Sequence, residues 1–223
     1  MSSELARLDD EIVSCRACPR LVAWREQVGR EKRAAFRDEE YWARPIPGFG
    51  DTDPWLMVVG LAPAAHGANR TGRMFTGDRS ADFLVAALHR AGLASQPTSD
   101  RVDDGLMLTG CRITAAVRCA PPANKPTPAE EQACRGFLQA ELGACTGTRV
   151  LLALGGFAWK ATLRVVAPAR PWPVFGHGIE AAVGPYTLLG SYHPSQQNTF
   201  TRRLTPSMLD AVLSRARQIA ATS

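Results

Sequence analysis

Residues 55–78 read WLMVVGLAPAAHGANRTGRMFTGD, and this stretch is the strongest indicator of the fold. Residues 55–59 form a short, continuous apolar run, as expected of a parallel strand that is buried on both faces. Six glycines and alanines lie between residues 60 and 68, and residues this small allow the backbone to approach a ligand closely. The loop has neither the Gly-Lys-Ser/Thr ending of a P-loop nor the G-x-G-x-x-G fingerprint of a dinucleotide fold. It therefore predicts a ligand site of another kind, directly after a buried strand.

Predicted strands and helices alternate along the rest of the chain. Apolar runs predict three further strands, at 106–117, 149–154 and 187–192. Periodicity and capping signals predict helices at 4–14, 21–36, 82–91, 127–142, 157–166 and from 205 onward. This alternation predicts an α/β fold with a mainly parallel four-stranded sheet and helices on both faces. No internal repeat or linker divides the chain, so we expect a single domain over residues 1–223.

The composition fits a compact protein with a mild excess of positive charge. Of the 223 residues, 45% are hydrophobic, which is enough for a substantial core. The net charge is +5 and the pI is about 9.1, which weakly favours a polyanionic partner. No apolar run is long enough to cross a bilayer, and the charged start MSSELARLDDEIVSC lacks the apolar region of a secretory signal. We therefore expect a cytoplasmic protein without membrane contact, in a compartment where thiols stay reduced.

The six cysteines divide into two groups by their context. Cys15 and Cys18 form a C-x-x-C turn followed by proline, whereas Cys119 lies in VRCAPP and Cys134 in a predicted helix. Four thiolates from two distant segments predict a metal or iron–sulfur site that joins those segments. A zinc ribbon fits poorly because it usually needs a second C-x-x-C, but the spacing alone leaves the metal open. The remaining two, Cys111 and Cys145, are predicted to be small buried hydrophobes.

Three segments with functional residue types follow predicted strands. They are the glycine-rich loop after residue 59, APPANKP after residue 117 and HPSQQNT after residue 192. Ligands of open α/β sheets bind beyond the carboxyl ends of the strands, so we expect these loops to meet. Of the four histidines, His193 alone ends a strand and begins a polar loop, which distinguishes it from an ordinary structural histidine. Phe75 is either a core residue or a stacking surface for a base, and Asp78 is either a helix N-cap or a functional carboxylate.

Five stretches together resemble the uracil-DNA glycosylase superfamily, and specifically its iron–sulfur-containing family 5 (type B). They are CRACPRLVAWRE, YWARPIPGFGD, GLAPAAHGANRTGRMFTGD, TAAVRCAPPANKPTP and SYHPSQQNTFTRRLT, which extend from Cys15 to Thr205. The resemblance implies a three-layer α/β/α sandwich with a central parallel sheet. It also implies hydrolysis of the N-glycosidic bond of uracil in DNA, with hypoxanthine and some alkylated bases as further substrates. Ala115 stands where family 4 has an Asn before V-K-C, and this departure favours type B.

The resemblance further implies roles for individual residues. The ligands of a [4Fe–4S] cluster would be Cys15, Cys18, Cys119 and Cys134. Catalysis would depend on Asp78, on Asn124 as a ligand of the attacking water, and on His193 as a donor to the leaving base. The flipped base would stack on the ring of Phe75 and meet the glycine-rich loop at Gly60, Ala62 and Ala64. Contacts with uracil-containing DNA would come from the segment after His193, through Ser195, Gln196, Gln197, Asn198 and Arg202.

Several questions stay open at this level. Most of the superfamily places a polar, water-positioning residue directly after the first strand, but this chain has Leu61-Ala62-Pro63 there. The residue that fills the gap left by the flipped base is not identified, and Gln196 and Gln197 are candidates. A non-catalytic nucleic-acid-binding protein with a structural metal is a competing function. A nucleotide hydrolase is another, although the missing P-loop lysine counts against it. By resemblance, we expect a monomer.

Overall fold

A computed structural model describes residues 3–167 and 169–222 of the chain. Within this part, six strands form one sheet in the order β1-β3-β2-β4-β6-β5. The strands are β1 Phe49–Gly50, β2 Leu56–Gly60, β3 Cys111–Ala115, β4 Val150–Leu154, β5 Glu180–Val183 and β6 Tyr186–Ser191. The four central strands are parallel, while β1 and β5 pair antiparallel at the two edges. The prediction of a mainly parallel α/β sheet is therefore confirmed, and the structure adds two edge strands.

Eight α-helices lie in the described part of the chain. They are α1 Ser3–Ser14, α2 Pro19–Glu31, α3 Ala68–Thr71, α4 Arg79–Arg90, α5 Pro128–Ala144, α6 Gly156–Val166, α7 Gln196–Phe200 and α8 Pro206–Thr222. The capping box predicted at Thr127 is present, since its side chain accepts from the Glu130 amide and Glu130 bonds back to the Thr127 amide. None of these helices, as far as the structure describes them, is long and apolar enough to cross a bilayer.

Two predicted elements are shorter than the sequence suggested. The helix predicted at 21–36 begins at Pro19 and ends at Glu31, because Lys32 has a φ of 54° and breaks the helical path. The strand predicted at 106–117 covers only Cys111–Ala115. The short helices α3 and α7 were not predicted, because four and five residues are too few to show a helical period.

Helices cover both faces of the sheet, as the three-layer prediction required. On one face, Leu56 and Val58 of β2 pack in a core with α4 and α8. On the other face, Met57 and Val59 pack with α1, α5 and α6. The alternation of side chains along one buried strand thus supplies both cores. The predicted buried positions of Cys111 and Cys145 are confirmed, since each lies in one of these cores.

The strand order creates a crevice at the carboxyl ends of β2 and β4. In the strand order, β3 lies next to β2 toward one edge of the sheet, whereas β6 lies next to β4 toward the opposite edge. Connections that leave in opposite directions open a gap between the two strand ends, and this gap is where ligands of open α/β sheets bind. The fold therefore places a site directly beside the glycine-rich loop that follows Gly60.

A buried carboxylate joins α5 to the sheet. Glu141 is 0% exposed, and its two oxygens accept from Arg112 Nε at 2.6 Å, Thr114 Oγ1 at 2.6 Å and Arg118 Nη2 at 2.5 Å. Burial alone would raise the pKa of Glu141, but the guanidinium groups of Arg118 and Arg112 hold it below its usual value. The carboxylate is therefore charged, and it balances two buried cations.

Replacing this carboxylate tests how much the fold depends on it. Glu141→Ala should lower the free energy of unfolding by about 3–5 kcal/mol, because Arg118 would stay buried without a counter-charge and Arg112 would keep only the longer contact with Asp9, at 3.7 Å. Chemical denaturation followed by circular dichroism measures the change. Gln139→Ala, at an exposed position of the same helix, is the matched control and should change stability by at most about 0.5 kcal/mol. Equal effects of the two variants would contradict a structural role for Glu141.

Candidate functional site

An open cleft of ≈1490 Å³ lies at the carboxyl end of the sheet. Three of its walls come from the predicted loops, namely the glycine-rich loop, the loop at Asn124 and the segment at Ser195–Gln197. Two further walls, at residues 33–40 and 100–103, were not predicted from the sequence. The predicted convergence of the three loops on one site is therefore present in the structure.

Gly67 and Asp78 are in close contact at the floor of this cleft. A Cβ atom on Gly67 would lie 2.1 Å from Asp78 Oδ2, so any side chain larger than hydrogen would displace the carboxylate. Asp78 Oδ1 accepts the amide protons of Ser80 and Ala81, both at 2.9 Å, and thereby caps α4. Asp78 is thus a helix cap through one oxygen, while the other faces the glycine-rich loop.

The environment of Asp78 changes its acidity. Burial raises the pKa of this carboxyl, and the negative charge of Asp82 adds to the increase. The hydrogen bonds from the Ala81 and Ser80 amides oppose this effect without cancelling it. A carboxylate with a raised pKa binds a proton more readily than an ordinary aspartate, which suits a group that activates water.

Asn124 reaches the cleft from a strained turn. It ends a 3₁₀ turn formed by residues 122–124, and both Ala123 and Asn124 have positive φ values, 52° and 55°. Asparagine tolerates this left-handed conformation better than most residues. The side chain is exposed and lines the cleft, and its carboxamide makes no hydrogen bond to the protein within residues 3–167 and 169–222. The carboxamide is therefore available to a ligand or a water molecule.

Phe75 and His193 pack against each other, and neither is among the residues that line the cleft. Their ring centroids are 5.9 Å apart with an interplanar angle of 32°. Phe75 is only 6% exposed and lies over Gly60, where a Cβ atom would approach the ring to 3.1 Å. The ring therefore belongs to the core, and its role as a stacking surface for a base stays a prediction.

The structure places the other predicted site residues in different surroundings. Ala64, Ser195, Gln196 and Gln197 line the cleft. Gly60 lies within β2, and Ala62 packs against the cysteine cluster instead of the cleft. Asn198 donates through Nδ2 to the His193 carbonyl at 2.8 Å, and the exposed Arg202 has a φ of 57°.

Arg70 is a site residue that sequence reasoning missed. Its guanidinium group bonds the carbonyls of His66 and Gly77, each at 2.9 Å, and pairs with Glu39. It also lies 4.0 Å from the centre of the Phe36 ring. One buried arginine thus closes the glycine-rich loop and fastens the wall at residues 33–40. The position of Arg70 within the glycine-rich stretch was a possible signal in the sequence. Its burial and its distant partner Glu39 were not visible there.

The four predicted ligand cysteines surround one small cavity. Cys15, Cys18, Cys119 and Cys134 all line it, although they come from three separate segments. The pKa of Cys119 is raised to about 12, mainly by burial; Arg25 opposes the increase, and Cys134 and Cys15 add to it. The described residues contain no group of three or more histidine, cysteine, aspartate or glutamate side chains arranged to hold a single metal ion.

Two buried arginines also face this cavity. Arg25 Nη1 donates to Cys119 Sγ at 2.8 Å, and Arg118 lines the same cavity. Arg25 Nε and both Nε and Nη1 of Arg118 are buried without a hydrogen-bond partner. Buried cationic N–H groups are costly unless they meet an acceptor, so the cavity suits an occupant with negative charge.

Comparison with known proteins decides the family. Residues 47–217 match the profile described as the uracil DNA glycosylase superfamily. The chain is 55% identical to the type-5 uracil-DNA glycosylase of Mycobacterium tuberculosis over 98% of this chain and 83% of the relative. It is 52% identical to the type-5 enzyme of Thermus thermophilus, over 94% of this chain and 95% of the relative. The type-5 enzyme of Pyrobaculum aerophilum is 45% identical over 93% and 89%.

The chain belongs to the type-5 uracil-DNA glycosylases. The superfamily profile includes the positions of Asp78, Asn124 and His193 but begins after the turn that holds Cys15 and Cys18. The similarity to the type-5 relatives extends over nearly the whole chain. The type-5 branch therefore also accounts for the N-terminal helices, which the broader superfamily profile leaves out.

The surroundings of His193 define its charge within this glycosylase fold. Part of its surface is exposed, but the ring is densely surrounded by protein, and this burial lowers its pKa to about 4. The imidazole is therefore neutral at pH 7, with one nitrogen as a donor and the other as an acceptor. No hydrogen bond from the protein engages either ring nitrogen in the described part of the chain, so the donor is available to a ligand.

This charge state can be measured directly. An NMR titration of labelled protein should show no change of the His193 ring signals between about pH 5.5 and 8, because its pKa lies near 4. Phe75→Ala should move the titration toward the ordinary histidine value of about 6.5, since the variant admits water to the ring. A wild-type midpoint near 6.5 would contradict the neutral imidazole.

Proposed function

We propose that this protein removes uracil from DNA by hydrolysing the N-glycosidic bond and leaves an abasic site. The observation that carries the proposal is the meeting of three distant loops at one cleft, which Asp78, Asn124 and Gln197 line. His193 does not line the cleft itself but lies two residues before Ser195, which does. This combination of a carboxylate, an amide and a neutral imidazole at one site fits hydrolysis of a bond to a leaving nucleobase. The type-5 relatives carry the same activity in their names.

The target nucleotide must leave the duplex before reaction. A base inside the helix is inaccessible, so the enzyme extrudes it and loses a few kcal/mol of stacking and pairing energy. This cost is smaller for a mismatch, so uracil opposite guanine should react faster than uracil opposite adenine. The open cleft admits the extruded nucleotide, and its small loop residues, such as Ala64, allow close approach of the backbone.

His193 stabilises the base as it leaves. Cleavage places negative charge on uracil, and a preorganised donor aimed at that charge contributes roughly 3 kcal/mol to catalysis. The neutral His193 ring has an N–H group for this purpose and no competing protein acceptor among the described residues. Packing against Phe75 fixes the orientation of the ring.

Asn124 and Asp78 position and activate the water that attacks the sugar. The position after the first strand, where most of the superfamily has a polar residue, is occupied by Ala62, which faces the cysteines. Asn124 presents an uncommitted carboxamide to the cleft instead. The carboxylate of Asp78, whose pKa is raised by burial, accepts a proton from the bound water.

A [4Fe–4S] cluster fits the four cysteines better than a single metal ion. Cys15, Cys18, Cys119 and Cys134 supply the four thiolates that such a cluster needs. Three unpartnered N–H groups of Arg25 and Arg118 would face its negative charge. The cluster would hold α1 and α2 against the rest of the fold, and we assign no catalytic step to it.

The same proposal includes the setting in which the enzyme works. We propose a single domain over residues 1–223, supported by the one sheet that contains all six described strands. Thiolate ligands need a compartment where thiols stay reduced, which favours the cytoplasm.

We propose that the protein acts as a monomer on uracil-containing DNA. Hypoxanthine and alkylated bases stay predicted substrates, to be tested with a panel of damaged duplexes.

The two competing functions receive less support. A non-catalytic DNA-binding protein would have no use for a neutral histidine, an uncommitted amide and a carboxylate of raised pKa around one cleft. A nucleotide hydrolase would need a metal site or a P-loop lysine, and neither is found in the described part of the chain. An assay for alkali-labile sites in a uracil-containing oligonucleotide separates the three functions.

Substitutions in the cleft test the catalytic roles. Asn124→Ala and Asp78→Asn should each lower the single-turnover rate on a G·U duplex about 10²-fold or more, because they disturb the attacking water. Asparagine caps a helix about as well as aspartate, so Asp78→Asn removes the charge and keeps the cap. Binding to the duplex, measured by fluorescence anisotropy, should stay near the wild-type value.

A neighbouring carboxylate provides the control for this experiment. Asp82→Asn removes an exposed charge from the same helix and the same cleft. Because burial raises the pKa of Asp78 more than the charge of Asp82 does, this variant should lower the rate far less than Asp78→Asn. Wild-type rates in both Asn124→Ala and Asp78→Asn would refute the proposed roles. A rate loss as large in Asp82→Asn would show that only the overall charge of the cleft matters.

Cysteine variants test the cluster. The purified protein should be brown and contain iron and acid-labile sulfide in equal amounts, and Cys119→Ser should lose both. Cys111→Ser is the matched control, because Cys111 is equally buried but lies in the core beneath α4, and it should keep the iron. A colourless protein with one zinc ion would refute the cluster.

A further inference from the structure

Phe200 is an exposed aromatic side chain at the end of α7. It is 74% exposed, and it is the one aromatic residue within 3–167 and 169–222 that is more than half exposed. Aromatic side chains are usually buried because water solvates them poorly. One exposed apolar side chain is common on protein surfaces, so the case for a binding role depends on where this ring lies and on its neighbours.

Phe200 lies beside the residues that line the cleft. Gln196 and Gln197 line it from the first turn of α7, and Phe200 follows them by four and three positions. Side chains at these spacings lie on the same side of a helix. The ring therefore stands next to the opening through which an extruded nucleotide would enter.

Hydrogen bonds hold this helix in a fixed position relative to the catalytic histidine. Asn198 Nδ2 donates to the His193 carbonyl at 2.8 Å. The Leu204 amide donates to the Asn198 carbonyl at 3.0 Å, and the Leu204 side chain is buried in the core. His193 and Phe200 therefore belong to one rigid unit. Insertion of the Phe200 ring into DNA would also fix the position of His193.

The charges near Phe200 favour contact with DNA. Arg202 and Arg203 follow it closely and are both exposed. The Arg203 guanidinium lies 4.6 Å from the centre of the Tyr192 ring, next to His193 in the chain. Positive side chains attract the phosphate backbone and position the protein on it.

Val102 is the other exposed apolar residue that lines or borders the cleft, and its surroundings differ. It is 62% exposed and lies in the wall at residues 100–103. Its chain neighbours Arg101 and Asp103 form an exposed ion pair, with Arg101 Nε 3.0 Å from Asp103 Oδ1, and Asp100 adds a further negative charge. Because its one arginine is already paired, this wall offers phosphate no free positive charge, unlike the segment that bears Arg202 and Arg203.

We propose that Phe200 is the wedge that enters the base stack where the uracil nucleotide has left it. A flat apolar ring replaces the stacking that the neighbouring base pairs lose, which the amides of Gln196 and Gln197 cannot do. The two glutamines then remain free to meet the extruded nucleotide. This inference rests on the proposed removal of uracil from duplex DNA.

Duplex and single-stranded substrates test the wedge, because only a duplex has a stack to fill. Phe200→Ala should lower the single-turnover rate on a G·U duplex about tenfold or more, as expected for the loss of base–aromatic stacking. The rate on a single-stranded oligonucleotide of the same sequence should stay within about twofold, since no pairing must be broken there. In a duplex with 2-aminopurine beside the uracil, the fluorescence increase on extrusion should also shrink.

Matched variants complete the experiment. Phe200→Trp should keep most of the duplex activity, because it preserves an aromatic wedge. Met107→Ala and Val174→Ala remove exposed apolar side chains that do not line the cleft, and they should leave both rates unchanged. Val102→Ala tests the cleft wall at residues 100–103 as the rival position of the wedge.

The possible outcomes separate the wedge from the proposed function. Equal loss on both substrates in Phe200→Ala would overturn the wedge, and so would a duplex-specific loss in Val102→Ala alone. A wild-type protein that releases uracil from neither substrate would overturn the proposed function, and the wedge with it.

Discussion

The fold depends on one buried carboxylate. Glu141 connects helix α5 to strand β3 through Arg112 and Thr114, and to the following loop through Arg118. Cys134 lies two turns earlier on the same helix, and Cys119 is adjacent to Arg118. The loop that bears Asn124 is thus fixed at one end by this network and at the other by the Thr127 capping box. The same charge therefore positions two of the proposed ligand cysteines and a residue that lines the cleft.

Burial prepares the two titratable groups of the site for different tasks. It lowers the pKa of His193 and raises that of Asp78, because low polarity disfavours the charged form of each. The result is a neutral imidazole with one N–H donor and a carboxylate that takes up a proton more readily than usual, which are the states that the proposed roles require. An ordinary exposed histidine would be partly protonated near neutral pH, and its charge would vary with conditions. Burial is therefore the main cause of both pKa shifts, although it moves them in opposite directions.

Much of the fold could be predicted, because its main signals are local. The buried run before Gly60 and the capping box at Thr127 each identify an element from a few adjacent residues. The edge strands β1 and β5 could not be predicted, since a two-residue strand has no pattern and β5 is largely exposed. The burial of Glu141 was equally hidden, because a glutamate in an amphipathic helix reads as a surface residue.

For the site, the sequence by itself determined which side chains are present and that they follow strands, so the three loops and four cysteines could be named in advance. Tertiary structure alone decided how they meet. It turned Ala62 toward the cysteines, placed Gly67 against Asp78 and brought Arg70 to Glu39. It also left Phe200 exposed at the edge of the cleft. The physical reason is that periodicity and capping are properties of neighbouring residues, whereas close contact and burial arise between segments far apart in the chain.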